Sequence, residues 1–130
     1  MKREPMLSGQ IDLMVMAVVA RKPSHGYDII KALKLRSSGK LDLAEGTIYP
    51  ALYRLEQAGY LQSDAKTVGG RSRRTYRLTA AGRAALRERQ RAWRSLVESV
   101  DAIVTGRPEP EHGESRQRGE NIKLKMCFFS

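Results

Sequence analysis

The spacing of apolar residues predicts two helices in the first third of the chain. Gln10 to Ala20 is apolar almost all round, as in a helix buried in a core or an interface, and Leu7-Ser8 offers its N-cap. Pro23 ends this helix, because its ring disfavours helical geometry in the preceding residue. Ser24 is then placed to cap a second helix over His25 to Leu35.

A third helix is predicted from Glu45 to Ala58, where apolar residues recur at steps of three and four. Its buried stripe comprises Ile48, Ala51, Leu52, Leu55 and Ala58. Pro50 has no amide proton, so the regular helix is predicted to begin close to Thr47. Gly59 is suited to the left-handed conformation that ends many helices.

Two short strands are predicted next, Tyr60 to Ser63 and Arg74 to Leu78. Their connecting loop is rich in arginine, and Gly69-Gly70 can form its tight turn. A helix sized for the DNA major groove, followed by a basic β-hairpin, is the layout of a winged helix-turn-helix.

A long fourth helix is predicted from Ala80 to Thr105, with Thr79 as its cap and Gly82 as a weak spot. It carries a heptad-like apolar stripe that a small domain can hardly cover alone, so we expect a homodimer. The predicted dimer interface comprises Leu86, Trp93, Leu96, Val97, Val100 and Ile103.

The predicted fold is therefore mainly α with a small β-hairpin. Residues 7–78 form the winged helix-turn-helix domain, and residues 79–105 form a C-terminal dimerisation helix. Residues 106–130 are polar and rich in glycine and proline, which predicts a disordered tail.

Charge is distributed unevenly along the 130 residues. The formal net charge is +10, and residues 66–94 alone carry +9, whereas residues 45–65 carry −2. A basic hairpin beside a nearly neutral helix suits a protein whose wing binds phosphates while a helix contacts bases. The predicted partner is double-stranded DNA.

The sequence gives little support for a membrane protein, a secreted protein or an enzyme. The apolar run from Ile11 to Ala20 is too short to span a bilayer, and a single cysteine, Cys127, fits a reducing cytosol, so we expect a cytoplasmic protein without a membrane partner. No nucleophile–base pair, phosphate loop or metal-ligand cluster is evident, so neither an enzyme nor a cofactor is expected.

The candidate DNA contacts come from two segments. On the polar side of the third helix they are Thr47, Tyr49, Pro50, Tyr53 and Arg54. In the hairpin they are Gly70, Arg71, Arg73 and Arg74, placed beside glycines that let the backbone approach a duplex. The alternatives are that Tyr49 or Tyr53 packs under the wing and that the basic loop is merely solvated. Tyr27, Tyr76 and Leu78 are expected to pack in the domain.

Three motifs resemble the PadR family of bacterial transcriptional regulators. They are His25 to Ile29, Glu45 to Gly59, and Gly70 to Gly82. The resemblance implies a homodimeric winged-helix repressor of the short subfamily, with ATGT and ACAT half-sites in an inverted repeat. The leading alternative is a non-regulatory nucleic-acid-binding protein, either chromosome-associated or RNA-binding.

Trp93 is the only tryptophan and lies on the predicted interface stripe. In some short PadR-like regulators, an aromatic residue near this place lines a pore that accepts flat, hydrophobic drugs. The resemblance thus implies a small hydrophobic or aromatic effector at Trp93. The alternative is a plain interface anchor, a role that tryptophan serves well.

Overall fold

A computed structural model of the chain describes residues 5–106. In chain order, the elements are α1 (Pro5–Arg21), β1 (Ser24–His25), α2 (Gly26–Arg36), α3 (Glu45–Gln57), β2 (Leu61–Val68), β3 (Arg71–Leu78) and α4 (Ala80–Thr105). The predicted class, mainly helical with a small antiparallel sheet, is confirmed. The predicted disordered tail lies outside the described residues from position 107 onward.

The first three helices, the start of α4 and the sheet enclose one core, to which α4 contributes Leu86. Its largest fully buried side chains come from all three helices: Val15, Met16, Ile29, Ile48 and Leu52. Leu61, Tyr76 and Leu78 close the core from the sheet, as the sequence predicts for the last two. The core therefore holds α3 by Ile48, Ala51, Leu52 and Leu55 and leaves its polar side outward, whereas Ala58, predicted in the same buried stripe, is exposed.

The predicted start of the first helix and the predicted cap of the second were wrong. The first helix begins at Pro5, and Ser8 lies inside it. Ser24 does not cap α2: it is buried in β1, and its hydroxyl donates to the carbonyl of Lys22 at 2.9 Å. The two-residue strand β1, which pairs with β3, was not predicted, and the N-cap of α2 is His25, without a side-chain capping hydrogen bond.

The helix α3 begins at Glu45 rather than near Thr47, and it keeps Pro50 in its interior. Pro50 cannot donate to the carbonyl of Gly46, the residue four positions earlier. Because Gly46 is exposed, water can bond to that carbonyl instead. The missing hydrogen bond is therefore tolerated without ending the helix.

Both ends of the segment that joins α3 to α4 follow the local signals in the sequence. Gly59 has a φ of 84°, and the amide of Tyr60 donates to the carbonyl of Leu55 at 2.9 Å, as in a Schellman motif. The hydroxyl of Thr79 accepts from the amide of Gly82 at 2.9 Å and caps α4. The bounds predicted for α4 agree with the structure.

Gly82 is a packing requirement rather than a weak spot. A Cβ at this position would lie 2.2 Å from the carbonyl oxygen of Tyr60, far inside van der Waals contact. Glycine is thus the residue that lets the start of α4 approach the backbone of the α3–β2 connection.

The hairpin is longer than predicted. Strands β2 and β3 pair without interruption from Leu61 opposite Leu78 to Val68 opposite Arg71. The turn consists of Gly69 and Gly70 alone, both at positive φ, as in a two-residue type I′ turn. The arginines expected in the loop therefore lie in strand β3. The sequence did not predict this part of the strand because it is polar. The outer part of the hairpin covers no core, so it lacks the alternating apolar residues that indicate a strand.

The chain divides into two compact units, Met1–Arg89 and Gln90–Ser130, and the boundary falls within α4. In the first unit, Leu86 is buried in the core. It therefore cannot belong to an exposed interface stripe, as the heptad pattern had suggested. Of the second unit, the structure describes residues 90–106, which continue the helix to Thr105.

Candidate nucleic-acid interface

A concave surface of about 590 Å³ lies where the start of α2, the helix α3 and the strand β3 meet. Its lining residues are His25, Gly26, Tyr27, Glu45, Tyr49, Arg71, Arg73, Arg74 and Tyr76. The surface thus combines three arginines with three tyrosines, which suits a polyanion with flat bases. We call it the wing cleft.

Tyr49 packs closely on the start of α2. A Cβ at Gly26 would lie 2.6 Å from atoms of the Tyr49 ring, so the ring occupies the space that any larger residue would fill. The side chain nevertheless remains 41% exposed. Tyr49 is therefore oriented by α2 while one side stays accessible to a ligand in the wing cleft.

The other predicted contacts of α3 fall into two groups. Tyr53 is 65% exposed, Pro50 is exposed and Thr47 is half-buried. Arg54, by contrast, donates to Oδ1 of Asp12 on α1 at 2.7 Å. The side chain of Asp12 is only 17% exposed, so this ion pair connects α3 to α1. The side chain of Arg54 remains 48% exposed.

The wing arginines separate by strand alternation. Successive side chains of a strand point to opposite faces, so Arg71 and Arg73 share one face and Arg74 lies on the other. Arg74 donates to the hydroxyl of Ser63 at 3.1 Å, and no contact of this kind is found for Arg71 or Arg73 among the described residues. The hairpin arginines are thus not equivalent.

Two residues near the cleft were not predicted as part of the site. His25 contacts the hydroxyl of Thr75 through Nδ1 at 3.2 Å, across the β1–β3 pairing. Tyr27, predicted to pack in the domain, is 60% exposed, and the ammonium of Lys31 lies 5.5 Å from its ring centroid. The short motif His25-Gly26-Tyr27 was the available signal, but the apolar pattern of α2 favoured burial of Tyr27.

Tyr76 forms the floor of the cleft. Burial raises the pKa of its hydroxyl above the ordinary 10.0, the negative charge of Glu56 raises it further, and Arg74 opposes the shift. Tyr76 is therefore neutral at physiological pH, and its hydroxyl is a hydrogen-bond donor and acceptor rather than an anion beside the arginines.

The second half of α4 carries the remaining predicted residues. Leu96 and Val100 are each 48% exposed, and Ile103 is 79% exposed. Trp93 and Val97 are half-buried. Val104, which extends the same apolar surface, is 74% exposed. Apolar side chains thus stay uncovered along this half of the helix.

Two features are absent between residues 5 and 106. No helix in that range is long and apolar enough to cross a membrane. Within the same range, no group of three or more His, Cys, Asp and Glu side chains could hold a metal ion.

Comparisons with known proteins agree with this geometry. A structure of smu.1704 from Streptococcus mutans is 35% identical, with a TM-score of 0.66, and the match covers 78% of this chain and 92% of that one. A PadR-like transcription factor from Bacteroides fragilis is 32% identical, with a TM-score of 0.66, covering 76% of this chain and 94% of that one.

A shorter segment is more similar to a curated relative. Over 58 residues the chain is 52% identical to the transcriptional regulator Rv3488 of Mycobacterium tuberculosis, covering 45% of this chain and 54% of that protein. The model of the PadR-like family of transcriptional regulators matches residues 15–88, more than half of the chain. This DNA-binding chain therefore belongs to the PadR-like family of transcriptional regulators.

Proposed function

We propose that the protein is a homodimeric repressor that binds an inverted-repeat operator through α3 and the wing. The observation that carries this proposal is the wing cleft, where the exposed side of Tyr49 lies beside Arg71 and Arg73. Its geometry favours a duplex whose bases face α3 while its phosphates pass along β3.

The residues have separate proposed roles. Thr47, Tyr49, Pro50 and Tyr53 contact base edges or phosphates from the outward side of α3. Arg71 and Arg73 bind phosphates, and Gly70 lets the wing tip approach the backbone of the duplex. Arg54 binds a phosphate or a guanine, and its ion pair with Asp12 holds the guanidinium in place for that contact.

Dimerisation is proposed through the second half of α4. The supporting observation is its exposed apolar set, Leu96, Val100, Ile103 and Val104, together with the half-buried Trp93 and Val97. A second copy of the same helix would cover these side chains from water, and a two-fold dimer presents two recognition helices.

An effector is proposed at Trp93. A flat, hydrophobic compound would stack between the Trp93 indoles of the two chains, and a cationic dye would gain about 0.5–2 kcal/mol from cation–π attraction. Binding there would favour a dimer conformation whose recognition helices no longer match the half-sites. Titration with planar cationic dyes should quench tryptophan fluorescence and release DNA, whereas a tightly packed anchor predicts neither effect.

The direct test of DNA recognition is selection of duplexes from a random pool by the purified protein. We expect enrichment of an inverted repeat, with half-sites about 10 base pairs apart from centre to centre. ATGT and ACAT half-sites would agree with the motif resemblance. Equal retention of all sequences would instead support a non-regulatory coating protein and contradict the proposal.

A further inference from the structure

Arg74 lies on the side of the wing that faces the core. Strand β3 pairs with β2 so that Ser63 is opposite Tyr76 and Ala65 is opposite Arg74. These four side chains therefore share one face of the hairpin. Tyr76 is only 7% exposed, which identifies this face as the one that packs on the domain. Arg73, one residue away, points to the opposite face.

A chain of hydrogen bonds leads from Arg74 to α3. Nη1 of Arg74 donates to Oγ of Ser63 at 3.1 Å, and that hydroxyl donates to Oε2 of Glu56 at 2.7 Å. Glu56 lies in the last turn of α3, and both Glu56 and Ser63 are half-buried. Ser63 thus bridges a cation on the wing and an anion on the helix.

The bridge joins the two parts that would contact DNA. The wing meets the domain at Leu61, Tyr76 and Leu78, which lie in the core, and β3 also pairs with β1 as far as Thr75. From Arg74 outward the hairpin extends beyond the core. Beyond Thr75, main-chain pairing joins only β2 and β3, and it does not set the angle of this outer part to α3. The side-chain bonds among Glu56, Ser63 and Arg74 restrain that angle.

We propose that Arg74 is a positioning residue, which through Ser63 and Glu56 holds the wing at the angle where wing and α3 engage one duplex together. This inference rests on the proposed function. It assigns to Arg74 a role different from that of Arg71 and Arg73, which contact phosphates. Loss of the bridge should therefore reduce discrimination between sequences rather than general affinity for DNA.

The size of the effect follows from the bonds involved. Hydrogen bonds to ionised groups are stronger than neutral ones, but the exposed arginine is partly screened by solvent. We expect Ser63→Ala to weaken binding of the selected duplex by about threefold to tenfold. Affinity for a random duplex, and the dependence of log affinity on log salt, should not change.

The experiment measures the affinity of four variants for two probes across a salt series. The probes are a duplex that the wild-type protein enriches and a random duplex of equal length. Ser63→Ala breaks the bridge without changing charge, and Ser63→Thr keeps the hydroxyl and should bind as the wild type does. Arg74→Ala also removes a charge from the wing cleft, so its loss of preference for the selected duplex, and not its affinity for the random duplex, should match that of Ser63→Ala. Arg73→Ala, from the opposite face, is the matched control and should weaken both probes and lower the salt slope by about one.

Two results would overturn the inference. Arg74→Ala could weaken both duplexes equally and lower the salt slope as Arg73→Ala does, which would make Arg74 a phosphate contact. Alternatively, Ser63→Ala could leave the preference for the selected duplex unchanged while the protein remains folded by circular dichroism.

A test without DNA separates this inference from the proposed function. Urea unfolding of Ser63→Ala, Arg74→Ala and the double variant forms a double-mutant cycle. A bridge predicts that the double variant is less destabilised than the sum of the two single variants. Strict additivity contradicts the bridge, whatever the outcome of the DNA selection.

Discussion

The two halves of α4 differ in how their apolar residues are covered. In the first half, Gly82 and Leu86 are buried, and Arg89 donates to Sδ of Met16 at 3.7 Å with its guanidinium 5.4 Å from the ring centroid of Tyr60. In the second half, Leu96, Val100 and Ile103 are 48–79% exposed. One heptad-like repeat therefore includes buried residues in the first half of the helix and exposed residues in the second half.

This difference shows why the repeat alone was misleading. A heptad stripe indicates which side of a helix is apolar, but it does not indicate whether the surface that covers this side belongs to the same chain. Leu86 satisfies the stripe and packs in its own core. Leu96 and Val100 satisfy it equally and remain exposed, so they, unlike Leu86, retain a surface for a second copy.

The largest effect is expected when charge is added to the exposed half. Replacing Leu96 and Val100 with Glu should convert the proposed dimer into folded monomers and abolish tight binding to the selected duplex, because two carboxylates from each chain would be buried at the interface. Sedimentation velocity measures the oligomeric state. The matched control places the same charges on the polar side, Ser95→Glu with Ser99→Glu, and should remain dimeric. A monomeric wild-type protein would refute the proposed interface.

A core substitution should separate Leu86 from that interface. Leu86→Ala should lower the free energy of unfolding by about 2–4 kcal/mol, because it leaves a cavity in the domain. Measuring it in the monomeric Leu96→Glu, Val100→Glu background removes any contribution from association. A loss below about 1 kcal/mol there would place Leu86 outside the core.

A pair of glycine substitutions examines the start of α4. Gly82→Ala should destabilise the fold by about 1–3 kcal/mol, since the new Cβ would collide with the carbonyl oxygen of Tyr60. Gly9→Ala is the control: it lies within α1 with no atom within 4 Å of the added Cβ, and it should stabilise the protein by about 0.5–1 kcal/mol. Chemical denaturation measures both, and equal effects would contradict the close approach.

The smallest effect concerns pH. Because the pKa of Tyr76 is raised in the folded state, the unfolded chain loses this proton first, and stability should fall as pH rises above 10.0. Tyr76→Phe should reduce that fall by at most about 1.4 kcal/mol per pH unit. Identical pH profiles for wild type and Tyr76→Phe would argue against the raised pKa.

The parts of the fold that were predicted correctly have strong local signals. The Gly59 motif and the Thr79 cap each satisfy helix-end groups with residues that are adjacent in sequence. The bounds of α4 followed directly from such a signal. Local chemistry was therefore sufficient where a few neighbouring residues determine the conformation.

The parts that were missed depend on long-range pairing. Strand β1 has two residues and exists because Ser24 and His25 pair with β3, about fifty positions later. The outer half of the wing is polar on both faces and has no alternating pattern. The Glu56–Ser63–Arg74 bridge needed the strand register, since extending β3 to Arg71 is what separates Arg74 from Arg73. The sequence pattern indicated Tyr49 and the three arginines of the cleft, but not His25 or Tyr27, and not the separation of Arg74 from Arg73 by strand alternation.

The proposed recognition of DNA by a two-fold dimer is tested most directly by rearranging the selected site. Wild-type protein should bind the inverted repeat at least about a hundredfold more tightly than a single half-site, because the second contact becomes intramolecular. The same half-sites as a direct repeat should bind no better than the single half-site. Equal affinity for the inverted and the direct repeat would contradict a two-fold dimer that engages both half-sites.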